Sequence, residues 1–139
     1  MRVKMDFMKP DPDYLKTLLA AFRDAPAPTT DINKLSNAGL PTNTDEFWFH
    51  LRLLNDRGFV KREDDEPGVG LERGGLGDDD YVCSVVPLRL TDSGHEFAEA
   101  MNNSKVFAAV RKSFVGSSLA IMRDIAVAAL KAEITKHGL

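Results

Sequence analysis

The feature that most constrains the fold is a glycine-rich loop between two β-rich segments, in a chain that is otherwise helical in pattern. The loop DEPGVGLERGGLGDDD, residues 65–80, contains five glycines and one proline and has few apolar residues. GFVKRED precedes it at 58–64, and YVCSVVPLRL follows it at 81–90. Two β-rich runs around a glycine-rich turn predict a long β-hairpin. Pro87 cannot donate to a strand ladder, so we expect it at an edge or a bulge.

A first amphipathic helix is predicted at residues 11–25. Asp11 followed by Pro12 is a typical helix start, with a capping side chain and then proline at the first helical position. The sequence APAP after it predicts the end of the helix. Apolar residues recur at the spacing of one buried face: Leu15, Leu18, Leu19 and Phe22.

A second helix is predicted at residues 43–58, with Asn43 and Glu46 as a capping box and Gly58 as its terminator. Residues 29–42 between the two helices are rich in turn formers, and either a short strand or a single helical turn fits them. The second helix has apolar residues on more than one side, which predicts packing against two neighbours. One face carries Phe47, Leu51 and Leu54, and Phe49 and Leu53 lie nearly opposite.

The segment RLTDSGHEFAEAM, residues 89–101, predicts the junction of a strand with a helix. Thr91 or Ser93 can cap the helix, and Glu96 stands three residues after Ser93 as a capping-box partner. Gly94 would allow the helix to pack closely on the strand. His95 and Glu96 are adjacent and point about 100° apart on a helix, so they do not form an acid–base pair.

The C-terminal third is predicted to be helical with two breaks, at Asn-Asn-Ser 102–104 and Gly-Ser-Ser 116–118. The last helix is rich in alanine and aliphatic residues, and basic residues near its end suit the helix dipole. We divide the chain into a domain at 1–102 and a helical extension at 103–139, which packs on that domain or forms a dimer interface.

Two motifs resemble a known family. FHLRLLNDRGFV, residues 49–60, is similar to the recognition helix of bacterial winged-helix regulators, which reads H-L-x-x-L-x-x-x-G before an apolar pair. LRLTDSGHEF, residues 88–97, matches the segment that joins the wing to the next helix. Together they resemble an uncharacterised winged-helix family of bacteria and prophages with R-L-T-x-x-G-H-E-F after the wing, where Asp92 and Ser93 replace the usual W-E pair.

The resemblance implies an α+β fold, a winged helix-turn-helix with a β-hairpin wing and a C-terminal helical extension. The function expected for such a fold is that of a non-enzymatic, DNA-binding transcriptional regulator. Separately from the resemblance, we expect a cytoplasmic location and a homodimer that forms through the C-terminal helices. The alternative is a winged-helix module that contacts another protein, in a phage or prophage setting, without binding DNA.

Candidate contacts with double-stranded DNA lie on the second helix and at the base of the wing. Arginine pairs with guanine and asparagine with adenine, so Arg52 and Asn55 would reach base edges. Three further cations would hold phosphates. The predicted nucleic-acid-binding residues are Trp48, Arg52, Asn55, Arg57, Lys61 and Arg62.

Two features oppose DNA binding. Residues 61–80 hold three basic residues against eight acidic ones, although the whole chain has a net charge of only −3. The predicted wing tip is acidic on both arms, at 64–66 and at 78–80, whereas wings that touch phosphate usually carry lysine or arginine. Residues 29–42 depart from the standard winged helix in a further respect, because they leave room for about one turn of the positioning helix that precedes a recognition helix.

No metal or cofactor is predicted. The possible ligands are His50, His95, His137, Cys83 and Asp78–Asp80, and they lack zinc or calcium spacing. The loop lacks the lysine and Ser/Thr of a phosphate loop. Cys83, the one cysteine, is expected to be buried and inert, and its isolation suggests a reducing cytoplasm. The N-terminus leaves no room for a signal peptide, and no apolar run predicts a membrane span.

Overall fold

The chain folds as a mixed α+β protein. The computed structural model describes residues 8–73, 81–114, 116 and 118–136, and contains six helices and four short strands within them. The α+β prediction is confirmed. In chain order the elements are α1 (Pro12–Arg23), α2 (Ile32–Asn37), α3 (Asp45–Asp56), β1 (Val60–Arg62), β2 (Leu71–Arg73), β3 (Tyr81–Cys83), β4 (Leu88–Leu90), α4 (Asp92–Asn102), α5 (Ser104–Ser113) and α6 (Leu119–Lys136).

The first helix begins as predicted. The Asp11 carboxylate accepts the amide of Asp13 at 3.0 Å, and Pro12 occupies the first helical position. All four residues of the predicted apolar face are buried. The helix ends at Arg23, before the Ala-Pro repeat.

Residues 29–42 form a short helix, which is one of the two alternatives that the sequence left open, preceded by one extended residue. Thr30 is extended and exchanges two backbone hydrogen bonds with Leu88 of β4, at 2.8 and 2.7 Å. The six-residue helix α2 follows it. Gly39 adopts a φ of +105° and lets the Leu40 amide return to the Leu35 carbonyl at 3.1 Å, which closes the helix.

The start of α3 differs from the prediction by one residue. Thr44, not Asn43, is the cap, because its hydroxyl accepts the Phe47 amide at 3.2 Å. The predicted capping box of Asn43 with Glu46 is therefore wrong. The predicted end is confirmed, since Gly58 has a φ of +73° and the Phe59 amide donates to the Leu54 carbonyl at 2.8 Å.

The β-rich segments form two antiparallel pairs, and the second pair lies between the strands of the first along the chain. Val60 lies opposite Leu90 in the inner pair, β1 with β4, and Leu71 lies opposite Cys83 in the outer pair, β2 with β3. Residues 63–70 on the first arm face residues 84–87 on the second, so the first arm bulges outward. Pro87 lies between β3 and β4, opposite this bulge, as expected for a residue at an edge or a bulge.

The hairpin returns into α4 through a tight joint. Thr91 caps α4 by accepting the Gly94 amide at 3.1 Å, and its own hydroxyl donates to the Gly58 carbonyl. The Thr91 amide donates to the Phe59 carbonyl at 2.9 Å. Of the two predicted caps, Thr91 is the one used. Glu96 is not a capping-box partner, because its carboxylate pairs with Arg123 of α6 at 2.7 Å.

The C-terminal helices share the core of the rest of the chain. Asn103 ends α4 and caps α5 by accepting the amides of Lys105 and Val106, which confirms the break predicted at 102–104. Met122 and Ala126 of α6 belong to the same buried cluster as α1, α3 and α4. The division at residue 102 stays a prediction.

Replacement of Gly94 by alanine should destabilise the fold. A Cβ at this position would overlap the carbonyl oxygen of Phe59 and lie 3.1 Å from Leu90 Cδ2, so backbone must move. We expect Gly94→Ala to lower the free energy of unfolding by about 1–3 kcal/mol in urea denaturation. Ser93→Ala, at the exposed neighbouring position, should change it by less than about 0.5 kcal/mol. Equal stability of the two variants would contradict close packing at this joint.

Candidate functional site

An open groove lies between α3 and the outer part of the hairpin. Its volume is about 370 Å³. Leu71 and Cys83 are cross-strand partners, so their side chains lie on one face of the β2–β3 pair and form one wall. The other wall is formed by α3. The lining is mostly apolar, with one carboxylate and one guanidinium: Met8, Asp45, Trp48, Phe49, Arg52, Leu71 and Cys83. We call this the α3–hairpin groove.

The aromatic wall follows from the two-sided packing predicted for α3. Trp48 is half-buried, and its ring meets Phe47 edge to face at a centroid distance of 5.1 Å. Phe49 is also half-buried and faces the groove. Of the six predicted nucleic-acid-binding residues, the structure brings Trp48 and Arg52 together here.

Asn55 does not present a free amide to solvent. Its Nδ2 donates to the Val60 carbonyl at 3.0 Å, which ties the last turn of α3 to β1. The side chain is half-buried in this position. An asparagine that reads adenine uses both its amide nitrogen and its oxygen, so the observed hydrogen bond competes with the predicted role.

Two of the predicted phosphate contacts already have carboxylate partners. Arg62 makes two hydrogen bonds to Asp64, at 2.9 and 2.6 Å, and Lys61 lies 2.6 Å from Asp65. Asp65 reaches Lys61 because its backbone turns at a φ of +63° within the bulge. These pairs neutralise the cations at the base of the hairpin.

The remaining two cations are exposed. No ion pair or hydrogen bond of the Arg52 and Arg57 side chains occurs within the part of the chain that the structure describes. Arg52 lines the groove. Arg57 is the C-cap residue of α3 and lies outside the groove.

The acidic residues do not all lie at a hairpin tip. Asp64 and Glu66 lie in the bulge next to β1, and residues 78–80 lie outside the described part of the chain. Cys83 is exposed, so its predicted burial is wrong. The reason is that its strand face borders an open groove and no packed core. Partial desolvation nevertheless raises the pKa of the Cys83 thiol.

His50 has a structural role that the sequence analysis missed. It is 1% exposed, its Nε2 accepts the Asp11 amide at 3.0 Å, and its Nδ1 lies 2.7 Å from the Glu46 carbonyl. These partners require a neutral imidazole with the proton on Nδ1. The sequence could have indicated that His50 is buried, because helical spacing places it on the same face as Phe47 and Leu54.

No protein-family model, curated protein or solved structure matches this chain. Within residues 8–73, 81–114, 116 and 118–136, no three His, Cys, Asp or Glu side chains gather as a metal site. His137 and Asp78–Asp80, named above as possible ligands, lie outside these ranges. None of the described helices is long and apolar enough to cross a bilayer. The cytoplasmic location stays a prediction.

The ion pairs at the hairpin base predict low carboxyl pKa values. The hydrogen bonds from Arg62 lower the pKa of Asp64, and the hydrogen bond from Lys61 lowers that of Asp65. Because both values are depressed in the folded state, any stabilisation is present at neutral pH and is lost as pH falls through the folded pKa values. NMR titration should show both midpoints below that of ordinary aspartate. Arg62→Gln should raise the Asp64 midpoint and leave Asp65 nearly unchanged; equal shifts at both sites would contradict the assigned pairs.

Replacement of His50 by phenylalanine should cost stability although the ring is kept. The Asp11 amide would lose its acceptor and the Glu46 carbonyl its second donor. We expect a loss of about 1–3 kcal/mol in the free energy of unfolding, measured by urea denaturation. His95→Phe, at an exposed position of α4, is the matched control and should stay within about 0.5 kcal/mol. A His50→Phe variant as stable as this control would show that the hydrogen bonds contribute little.

Proposed function

We propose that this chain is a winged-helix protein, with α3 as the recognition helix and the hairpin as the wing. The order of a helix, a short helix, a longer helix, a hairpin and a returning helix supports this assignment. The extended Thr30 adds a third backbone segment beside β4, at the base of the hairpin. The glycine that ends α3 and the Thr91–Gly94 joint occupy the positions at which the resemblance places its motifs.

We further propose that it acts as a non-enzymatic binding module that takes up a segment of a protein partner in the α3–hairpin groove. The observation that carries this proposal is the composition of the groove. It is lined mainly by apolar side chains, and its two charged residues, Asp45 and Arg52, have opposite signs. Such a lining suits a polypeptide with an apolar anchor, because removing apolar surface from water drives association.

The chemistry of the groove also specifies the partner. An aromatic or aliphatic side chain would fit between Phe49 and Leu71. Arg52, which has no carboxylate partner in the described part of the chain, would pair with an Asp or Glu a few residues away in the bound segment. Aromatic and arginine side chains are the residue types that most often dominate protein interfaces.

DNA binding is the second candidate, and the exposed, unpaired Arg52 and Arg57 favour it. Arg52 lies in the C-terminal half of α3, and Arg57 directly follows the helix. The pairing of Lys61 and Arg62 with carboxylates weighs against it, since phosphate would have to displace Asp65 and Asp64.

Selection from a displayed random-peptide library tests the groove directly. We expect enriched peptides to share an apolar anchor and a nearby acidic residue. Phe49→Ala should lower their affinity about tenfold or more in calorimetry or fluorescence anisotropy. Arg52→Glu should also weaken binding, and replacing the peptide's acidic residue with lysine should restore it in that variant alone.

Arg57→Glu provides the matched control, because Arg57 is exposed and unpaired but lies outside the groove. Peptide binding should not respond to it. In a mobility-shift assay with duplex DNA, binding that weakens in both Arg52→Glu and Arg57→Glu and falls steeply with salt would favour the second candidate. Peptides that bind the Phe49→Ala variant as well as the unmodified protein would refute the groove as the site.

A further inference from the structure

The outer side of α6 exposes two large apolar side chains among small and charged ones. The inner side of this helix packs on α4 and α5 through residues such as Leu119, Met122 and Ala126. Ile121 on the outer side is nevertheless 47% exposed, and Ile134 is 41% exposed. A helix that is apolar nearly all round normally has neighbours on both sides.

Exposed residues on α6 recur at alternating intervals of three and four. This spacing places them on one stripe with a period of 3.5 residues, which is the spacing of a helix-pairing seam. The members are Ile121, Asp124, Ala128, Lys131 and Thr135, and all are exposed. We call this stripe the α6 seam.

The charges of the α6 seam are self-complementary in one orientation. Asp124 and Lys131 flank the central Ala128, and the Lys131 ammonium has no carboxylate partner in the described part of the chain. The Asp124 Oδ1 accepts a hydrogen bond from Arg123 of its own chain at 3.2 Å, so the contact between subunits would use Oδ2. In a parallel pair of α6 helices, each charged residue would face its own copy and be repelled. In an antiparallel pair about a two-fold axis near Ala128, Asp124 of each copy lies beside Lys131 of the partner subunit.

We infer that α6 binds a second copy of this chain as an antiparallel pair, with Ala128 at the crossing point and two Asp124–Lys131 ion pairs between subunits. The small alanine lets the two helices approach closely. Ile121 then packs near Thr135 of the partner subunit, which covers part of its exposed side chain. Antiparallel helix dipoles add a favourable contribution.

This pairing goes beyond the proposed function and does not depend on what the α3–hairpin groove binds. It gives an assembly with two identical grooves related by a two-fold axis. Two linked sites increase the overall affinity for a partner that presents two copies of its bound segment.

Charge reversal on the α6 seam, measured by sedimentation equilibrium on the full chain, tests the inference. The unmodified chain should show twice its monomer mass of 15.3 kDa at micromolar concentrations. Asp124→Lys alone and Lys131→Asp alone should each raise the dissociation constant about tenfold or more, because attraction becomes repulsion at both pairs. Lys112→Asp, an exposed charge reversal on α5, is the matched control and should leave the mass unchanged.

Mixing the two variants gives the sharper result. Each Asp124→Lys chain is complementary to a Lys131→Asp chain in the antiparallel arrangement, so the mixture should dimerise more tightly than either variant does alone. The Asp124→Lys, Lys131→Asp double variant should dimerise like the unmodified chain. Circular dichroism monitors folding of every variant. An unmodified chain that stays monomeric at millimolar concentration, or a mixture that stays monomeric, would overturn the inference.

Discussion

The arrangement of the whole molecule depends on one backbone joint, where the end of α3, the residue before β1 and the start of α4 meet. The Phe59 carbonyl accepts the Thr91 amide, and the Thr91 hydroxyl donates to the Gly58 carbonyl. Gly94 lets the first turn of α4 pack against the Phe59 carbonyl, because glycine has no Cβ. This joint fixes where the hairpin leaves the helices, and therefore how the β2–β3 wall faces α3 across the groove.

Local chemistry explains which parts of the fold could be predicted from sequence. Helix ends were predictable where one residue type had no competitor, as at Asp11 and Gly58. The start of α3 was mistaken by one residue because Asn43 and Thr44 are both good caps. The fate of Glu96 could not be predicted, since its partner Arg123 is 27 residues away on another helix. The unequal arms of the hairpin likewise depend on tertiary packing, which buries Val69 and Val86.

The sequence indicated several residues of the candidate site, but it did not indicate which of the predicted contact residues already have hydrogen-bond or ion-pair partners. The pairs Lys61–Asp65 and Arg62–Asp64 are local, so their spacing alone could have indicated neutralised cations. The hydrogen bond of Asn55 to Val60 and the wall formed by Leu71 and Cys83 required the folded hairpin. His50 shows that a histidine on a helix face with apolar neighbours can serve as a buried hydrogen-bonding link between helices.

Native-state amide hydrogen exchange tests most directly whether the joint organises the fold. If it does, the amides of Phe59 and Thr91 should exchange only through global unfolding, with a free energy of opening equal to that measured by urea denaturation. The Ser84 amide, which donates to Gly70 at 2.8 Å in the outer hairpin, should exchange through cheaper local opening. Exchange at Phe59 and Thr91 as fast as that at Ser84 would contradict the account.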